Sequence, residues 1–216
     1  MKTGAKLAIL GGVAVAAIAV LFVLPAETGW DPTGVGEATG LTKIADPDNP
    51  ELERGQARMA QQDVLILSDT APTPQEGVHD EWSYELGPYE SVEFKYTIPE
   101  GKPVTFRWEA TGPVNYDMHA HPFDGGEELT ESYGIDQAES MQGTYNPAFT
   151  GIHGWFFENR SLDTVTLTLV ADGGMTTSTI FGPTGATDRA LIGADAAPVG
   201  SVEGHTMQGA GQDGDS

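Results

Sequence analysis

Residues 151–172 read Gly151-Ile-His-Gly-Trp-Phe-Phe-Glu-Asn-Arg-Ser-Leu-Asp-Thr-Val-Thr-Leu-Thr-Leu-Val-Ala-Asp172. Val165, Leu167 and Leu169 alternate with Thr164, Thr166 and Thr168, the period-two pattern of a half-buried strand. Trp155, Phe156 and Phe157 give the preceding run a large apolar surface. Between the runs, Asn159 to Asp163 is rich in turn-forming residues. The stretch therefore predicts a β-hairpin with a loop longer than two residues. It also carries His153, one of five histidines in the chain.

The same alternation recurs upstream. Trp82, Tyr84 and Leu86 share a face, as do Val92, Phe94, Tyr96 and Ile98, with Glu93, Lys95 and Thr97 opposed. Val104, Phe106, Trp108 and Ala110 follow a Pro99-Glu-Gly-Lys-Pro103 turn. A short apolar strand is expected at residues 64–67 and another at 114–121. Residues 123–142 are acidic and hold Gly125-Gly126, an expected excursion or short helix. Residues 140–145 return as a strand, and 176–181 add an edge. The sum is an all-β domain, an antiparallel β-sandwich of the jelly-roll or GOLD-like type, spanning 63–181.

An apolar run at residues 7–25 precedes this domain and is long enough to cross a bilayer as one helix. Lys2 and Lys6 precede it, while Glu27, Asp31 and Glu37 follow. Residues 1–6 are then cytoplasmic and the rest lies outside, which in a bacterium means an inner-membrane anchor with a periplasmic domain. A cleaved leader would want a small residue where Leu24 stands, so an uncleaved anchor is preferred. Asp31-Pro32 reads as a helix start, and Val35, Ala38, Leu41 and Ile44 recur at helical spacing. Residues 26–62 form this juxtamembrane helix and a polar linker. Residues 182–216, rich in Gly, Ala and Asp, are expected to be disordered.

Composition narrows the chemistry. The 216 residues carry a formal net charge of -22, which repels nucleic acid phosphates. Cys is absent, so disulfides, thiolate catalysis and Cys-ligated copper are excluded. Neither a phosphate loop nor a dinucleotide fingerprint nor a nucleophile elbow occurs, and no enzyme activity is expected.

Asn115-Tyr-Asp-Met-His-Ala-His121 is the most informative polar run. On a strand, Asn115, Asp117, His119 and His121 share one side. Two imidazoles at i and i+2 supply two nitrogen ligands, with His153 as a third and Asp117 extending the ladder. A site of His119, His121, His153 and Asp117, completed by Glu127, Glu128 or Glu131, would suit Zn, Cu(II), Ni or Co. The alternative is a solvated strand face whose imidazoles bond nearby backbone. His205-Thr-Met207 in the tail is a further loose metal candidate.

The apolar segment, the Ala26-Glu-Thr-Gly-Trp-Asp-Pro-Thr-Gly-Val-Gly36 run and the His153-Gly-Trp-Phe-Phe-Glu-Asn-Arg160 motif together resemble a group of bacterial proteins described only as transmembrane anchor proteins. The resemblance implies a cell-envelope location and no particular activity. Gly154 to Asn159 before an alternating strand is similar to the GOLD-type β-sandwich of cargo proteins, a likeness of fold alone. Residues 104–121 are similar to cupredoxins, but the ligand Cys of that family is missing. The expected role is a membrane-anchored binding or accessory domain, holding a divalent metal for an envelope transporter, or else a structural tether that brings a protein partner to the membrane.

Overall fold

The computed structural model describes residues 3–45 and 47–193. His205 and Met207 lie outside the described residues, as does the part of the expected disordered tail from 194 onward, whereas within its first part, 182–193, residues Gly185–Arg189 form a strand.

The chain divides into an N-terminal unit through Pro50 and a β unit from Glu51. In the first, helix α1 (Thr3–Ile18) runs into a π turn (Ala19–Val23) and then α2 (Leu24–Thr28). Pro25 accounts for the widening: it lacks an N–H, and its ring crowds the carbonyl one turn earlier, so the turn before it opens. Gly29 ends the helix in the left-handed conformation, φ 71°, and its N–H bonds Pro25 O at 3.1 Å. The stretch Gly11–Thr28 is long and apolar enough to cross a membrane.

Two short helices follow, α3 (Val35–Thr39) and α4 (Thr42–Ala45). Asp31 caps here, but not one residue before the helix as its sequence suggests. Its Oδ1 accepts from Gly34 N at 3.0 Å and its Oδ2 from Glu37 N at 2.8 Å, so one carboxylate satisfies the loop and the first turn of α3. The Glu37 N–H, with help from Thr33 and Gly34, holds the Asp31 carboxyl below the usual carboxylate range. Gly36 is buried against Pro25, where a side chain would collide with the proline ring.

The expected polar linker holds a helix instead, α5 (Pro50–Met59). Pro50 starts it, Glu51 and Glu53 sit in its first turn and Arg58 in its last, a charge order that suits the helix dipole. Gly55 is buried against the backbone of Ser132, so only a glycine fits there. Arg54 Nε donates to Thr130 O at 2.8 Å, and Arg58 holds the Glu131 carboxylate with both Nε and Nη2.

The β unit is an antiparallel sandwich with nine strands among the described residues. They are β1 (Leu65–Leu67), β2 (Val78–Leu86), β3 (Ser91–Ile98), β4 (Val104–Pro122), β5 (Glu131–Tyr145), β6 (Gly151–Glu158), β7 (Val165–Gly173), β8 (Thr177–Gly182) and β9 (Gly185–Arg189). Pairing gives a front layer ordered β9-β8-β3-β6-β4-β5 and a back layer ordered β2-β7-β4-β5-β1. Strands β4 and β5 belong to both layers. The first part of β4, through Ala110, pairs with β7, and the part from Asn115 pairs with β6. The register break between Glu109 and Val114 is where β4 turns the corner. The region read from sequence as an acidic excursion is mostly β5, after one 3₁₀ turn (Gly126–Leu129).

The largest departure concerns residues 151–172. Both strands form, but they are not a hairpin. β6 pairs with β3 and β4, while β7 pairs with β2 and β4. Trp155 and Phe157 from one layer and Val165, Leu167 and Leu169 from the other all enter the buried core. Trp108 meets Phe157 edge-on at 5.1 Å, and Phe106 lies 4.8 Å from Trp155. Placing both aromatic-rich and Leu-rich faces between two layers buries both, which a lone two-stranded ribbon cannot do. Asn159 fixes the crossover. Fully buried, it donates to Leu86 O, Gly87 O and Asp163 O and accepts from Ser161 N.

The expected edge strand at 176–181 forms as β8, but it is internal. β9 lies outside it, and the chain then reaches back to β2, where His79 and Ile192 exchange backbone bonds.

Candidate functional site

Strand register decides which polar side chains meet. On the inner face of the front layer, Tyr96, His153 and Ala120 form one row across β3, β6 and β4. On the outer face the next row is Thr179, Lys95, Gly154 and His119, flanked by a row of Glu93, Phe156 and Asp117. The four residues expected to share a metal are thus divided. Asp117, His119 and His121 belong to the outer face, and His153 to the interior. Among the described residues, no three His, Asp or Glu side chains are disposed to hold one metal ion.

The outer row forms a buried charged cluster. Gly154 has no side chain, so Lys95 reaches over the middle strand and its Nζ lies 2.6 Å from His119 Nε2. Glu93 Oε1 lies 3.1 Å from Lys95 Nζ and 3.0 Å from His119 Nε2. Lys95 is only 2% exposed. Burial pushes the Glu93 carboxyl up, but the adjoining Lys95 and His119 outweigh it and hold the group far below the ordinary range. His119 Nε2 thus faces both Lys95 Nζ and Glu93 Oε1, and its Nδ1 faces Asp117 O at 3.3 Å. Ser132 Oγ donates to Asp117 Oδ2 at 3.2 Å, while Asp117 Oδ1 is buried without a hydrogen bond. A metal ion at His119 Nε2 would have to displace a resident ammonium. His121 is buried at the end of β4 opposite Ile152.

His153 is fully buried and in different company. Its Nδ1 lies 2.7 Å from Tyr145 Oη, and the Phe149 ring stacks on it at 5.2 Å. Burial, aided by the charge of Lys95, pushes the imidazole down to about 3, so it is neutral. Its Nε2 has no hydrogen-bond partner. Nearby, Tyr133 Oη donates to Glu131 Oε2 at 3.0 Å, and Arg58 neutralises that carboxylate. Glu131 is therefore committed to α5. The Glu128 backbone lies in the 3₁₀ turn before β5.

Glu93, Lys95, Ser132 and Gly154 are the members of this cluster that the sequence reading leaves out. Its one available signal is the alternation that sets Glu93 and Lys95 opposite the apolar residues of β3. The pairing that brings them to His119 is long-range.

An open concavity lies elsewhere, where β4 and β5 turn the corner. It has a volume of about 510 Å³ and is bordered by Leu67, Asp69, Arg107, Glu109, Ser140 and Gln142, with Trp108 and Tyr116 behind them.

No protein-family model matches this chain, and no curated protein is significantly similar to it.

Proposed function

We propose that this chain is a single-pass protein of a bacterial inner membrane whose periplasmic β-sandwich is a non-enzymatic docking domain. It keeps a partner protein at the bilayer surface. The observation that carries the reading is the joining of one apolar, membrane-length helix to a β-sandwich. Lys2 and Lys6 before the helix, against Glu27, Asp31 and Glu37 after it, support a cytoplasmic N-terminus. Lys95 favours a protein partner over a metal cargo, because its ammonium already neutralises Glu93 and engages His119.

The test is expression of the full chain in a bacterium, followed by alkaline washing of the membranes. Protease treatment of spheroplasts and crosslinking in intact membranes complete it. The reading expects retention through the wash, digestion of the sandwich from outside, and a specific crosslinked protein. Release by the wash, or protection of the sandwich from external protease, would overturn it.

A further inference from the structure

Among the described residues, strand β1 ends the back layer and pairs only with β5. Val64 O accepts from Asn146 N at 2.7 Å, and Ser68 N donates to Gln142 O at 3.0 Å. Ile66 sits opposite Thr144 between them. Ladder bonds alternate along an antiparallel strand, so the backbone groups of Leu65 and Leu67 point away from the sheet. Sheet edges are usually guarded by charge, proline or cover. Here β2 is bridged at His79 by Ile192, its Glu81 O is taken by Arg189, and β9 carries Asp188 and Arg189. β1 carries Leu-Ile-Leu, with Ile66 46% and Leu67 58% exposed.

We propose that β1 is a docking edge that takes an extended apolar segment of another protein, flanked by Lys or Arg, as an added strand. The inference rests on the docking-domain reading above and names its site. Charge selects the occupant. Exposed Asp63 and Asp69 bracket the apolar stretch. Two copies pairing antiparallel about Ile66 would set Asp63 of each against Asp69 of the other, and like charges directly opposed disfavour such a pair. A partner strand with basic ends meets the same two carboxylates favourably. At the C-terminal end of β1 the corner concavity, between Leu67 and Arg107, leaves room for a flanking side chain.

The experiment uses the full chain in detergent micelles and two fluorescent heptapeptides, Lys-Ser-Val-Ile-Val-Ser-Lys and its twin with Glu at both ends. Anisotropy is expected to give affinity for the Lys-ended peptide about tenfold or more above its twin, as two cross-strand charge pairs imply. The double variant Asp63→Lys/Asp69→Lys, altered only at exposed positions, inverts that preference. Leu67→Pro deletes an N–H that faces outward, so it abolishes binding while circular dichroism and the β1–β5 ladder are kept. Absence of binding, equal binding of the two peptides, or indifference to both variants overturns the proposal. So does sedimentation as a dimer that Leu67→Pro disperses. None of these outcomes touches membrane retention, which tests the broader reading separately.

Discussion

Lys95 Nζ lies 2.6 Å from His119 Nε2, although their strands are separated by a third. Gly154 makes the contact possible. A Cβ built there would run into Phe94 O and press on the Lys95 backbone. Gly154→Ala is therefore expected to push β3 from β6 and cost about 1–3 kcal/mol of stability, the range for overpacking. Chemical denaturation of the variant checks it. An unchanged midpoint would show that β3 and β6 need not approach so closely.

Lys95 neutralises Glu93 in a place where neither is well solvated. Lys95→Met leaves a buried carboxylate with only the His119 imidazole beside it, with an expected loss of up to about 3–5 kcal/mol. Lys95→Met/Glu93→Leu removes both charges and should recover much of that loss. The recovery, measured by urea unfolding, distinguishes a charge pair from mere packing.

The same ammonium bears on metal affinity. Isothermal titration of the wild-type chain with Zn, Cu(II), Ni or Co is expected to show no site that depends on His119. Lys95→Ala frees Nε2 beside Glu93, and weak binding should appear. A wild-type site lost on His119→Ala would contradict this.

His153 supplies a pH signature. Its folded-state value of about 3 lies below the ordinary imidazole value near 6.5, so the unfolded chain binds more protons between them. The stability that this neutral imidazole contributes is complete above about pH 6.5 and falls by about 1.4 kcal/mol per unit on acidification toward pH 3. Glu93 acts in the same sense at lower pH, since its depressed carboxyl contributes stability above about 4.3, lost as pH falls further. In His153→Phe the slope between pH 5 and 6.5 should flatten. An unaltered slope in thermal scans would place the titration elsewhere.

Asn159 joins the crossover to the β2–β3 turn through one buried carboxamide. Asn159→Ala strands several of these backbone carbonyls, with an expected cost of about 1–3 kcal/mol. Hydrogen exchange should quicken first at Ser161 and Asp163.

The core was legible from alternation alone. Val92, Phe94, Tyr96, Ile98, Val104, Phe106 and Trp108 are all buried where period two puts them. The long apolar helix was equally plain, because length and apolarity are local properties. Strand partners were not. Neighbouring strands usually pair, but Trp155 and Leu167 gain more by entering one core from opposite layers than by lying side by side. Residues 131–139 hid a strand because Glu131 is compensated by Arg58, a contact from α5 that no local window contains. For the same reason the sequence could put His119 and His121 on one strand face but not reveal Lys95, and it gave His153 the wrong company.

The π turn at Ala19–Val23 divides the apolar helix into two lengths with different facings. An inserted residue breaks the 3.6-residue phase, so a stripe running down residues 11–18 does not continue onto the side presented by α2. A helix packed alongside can follow one stripe or the other, and to follow both it must bend at the same level.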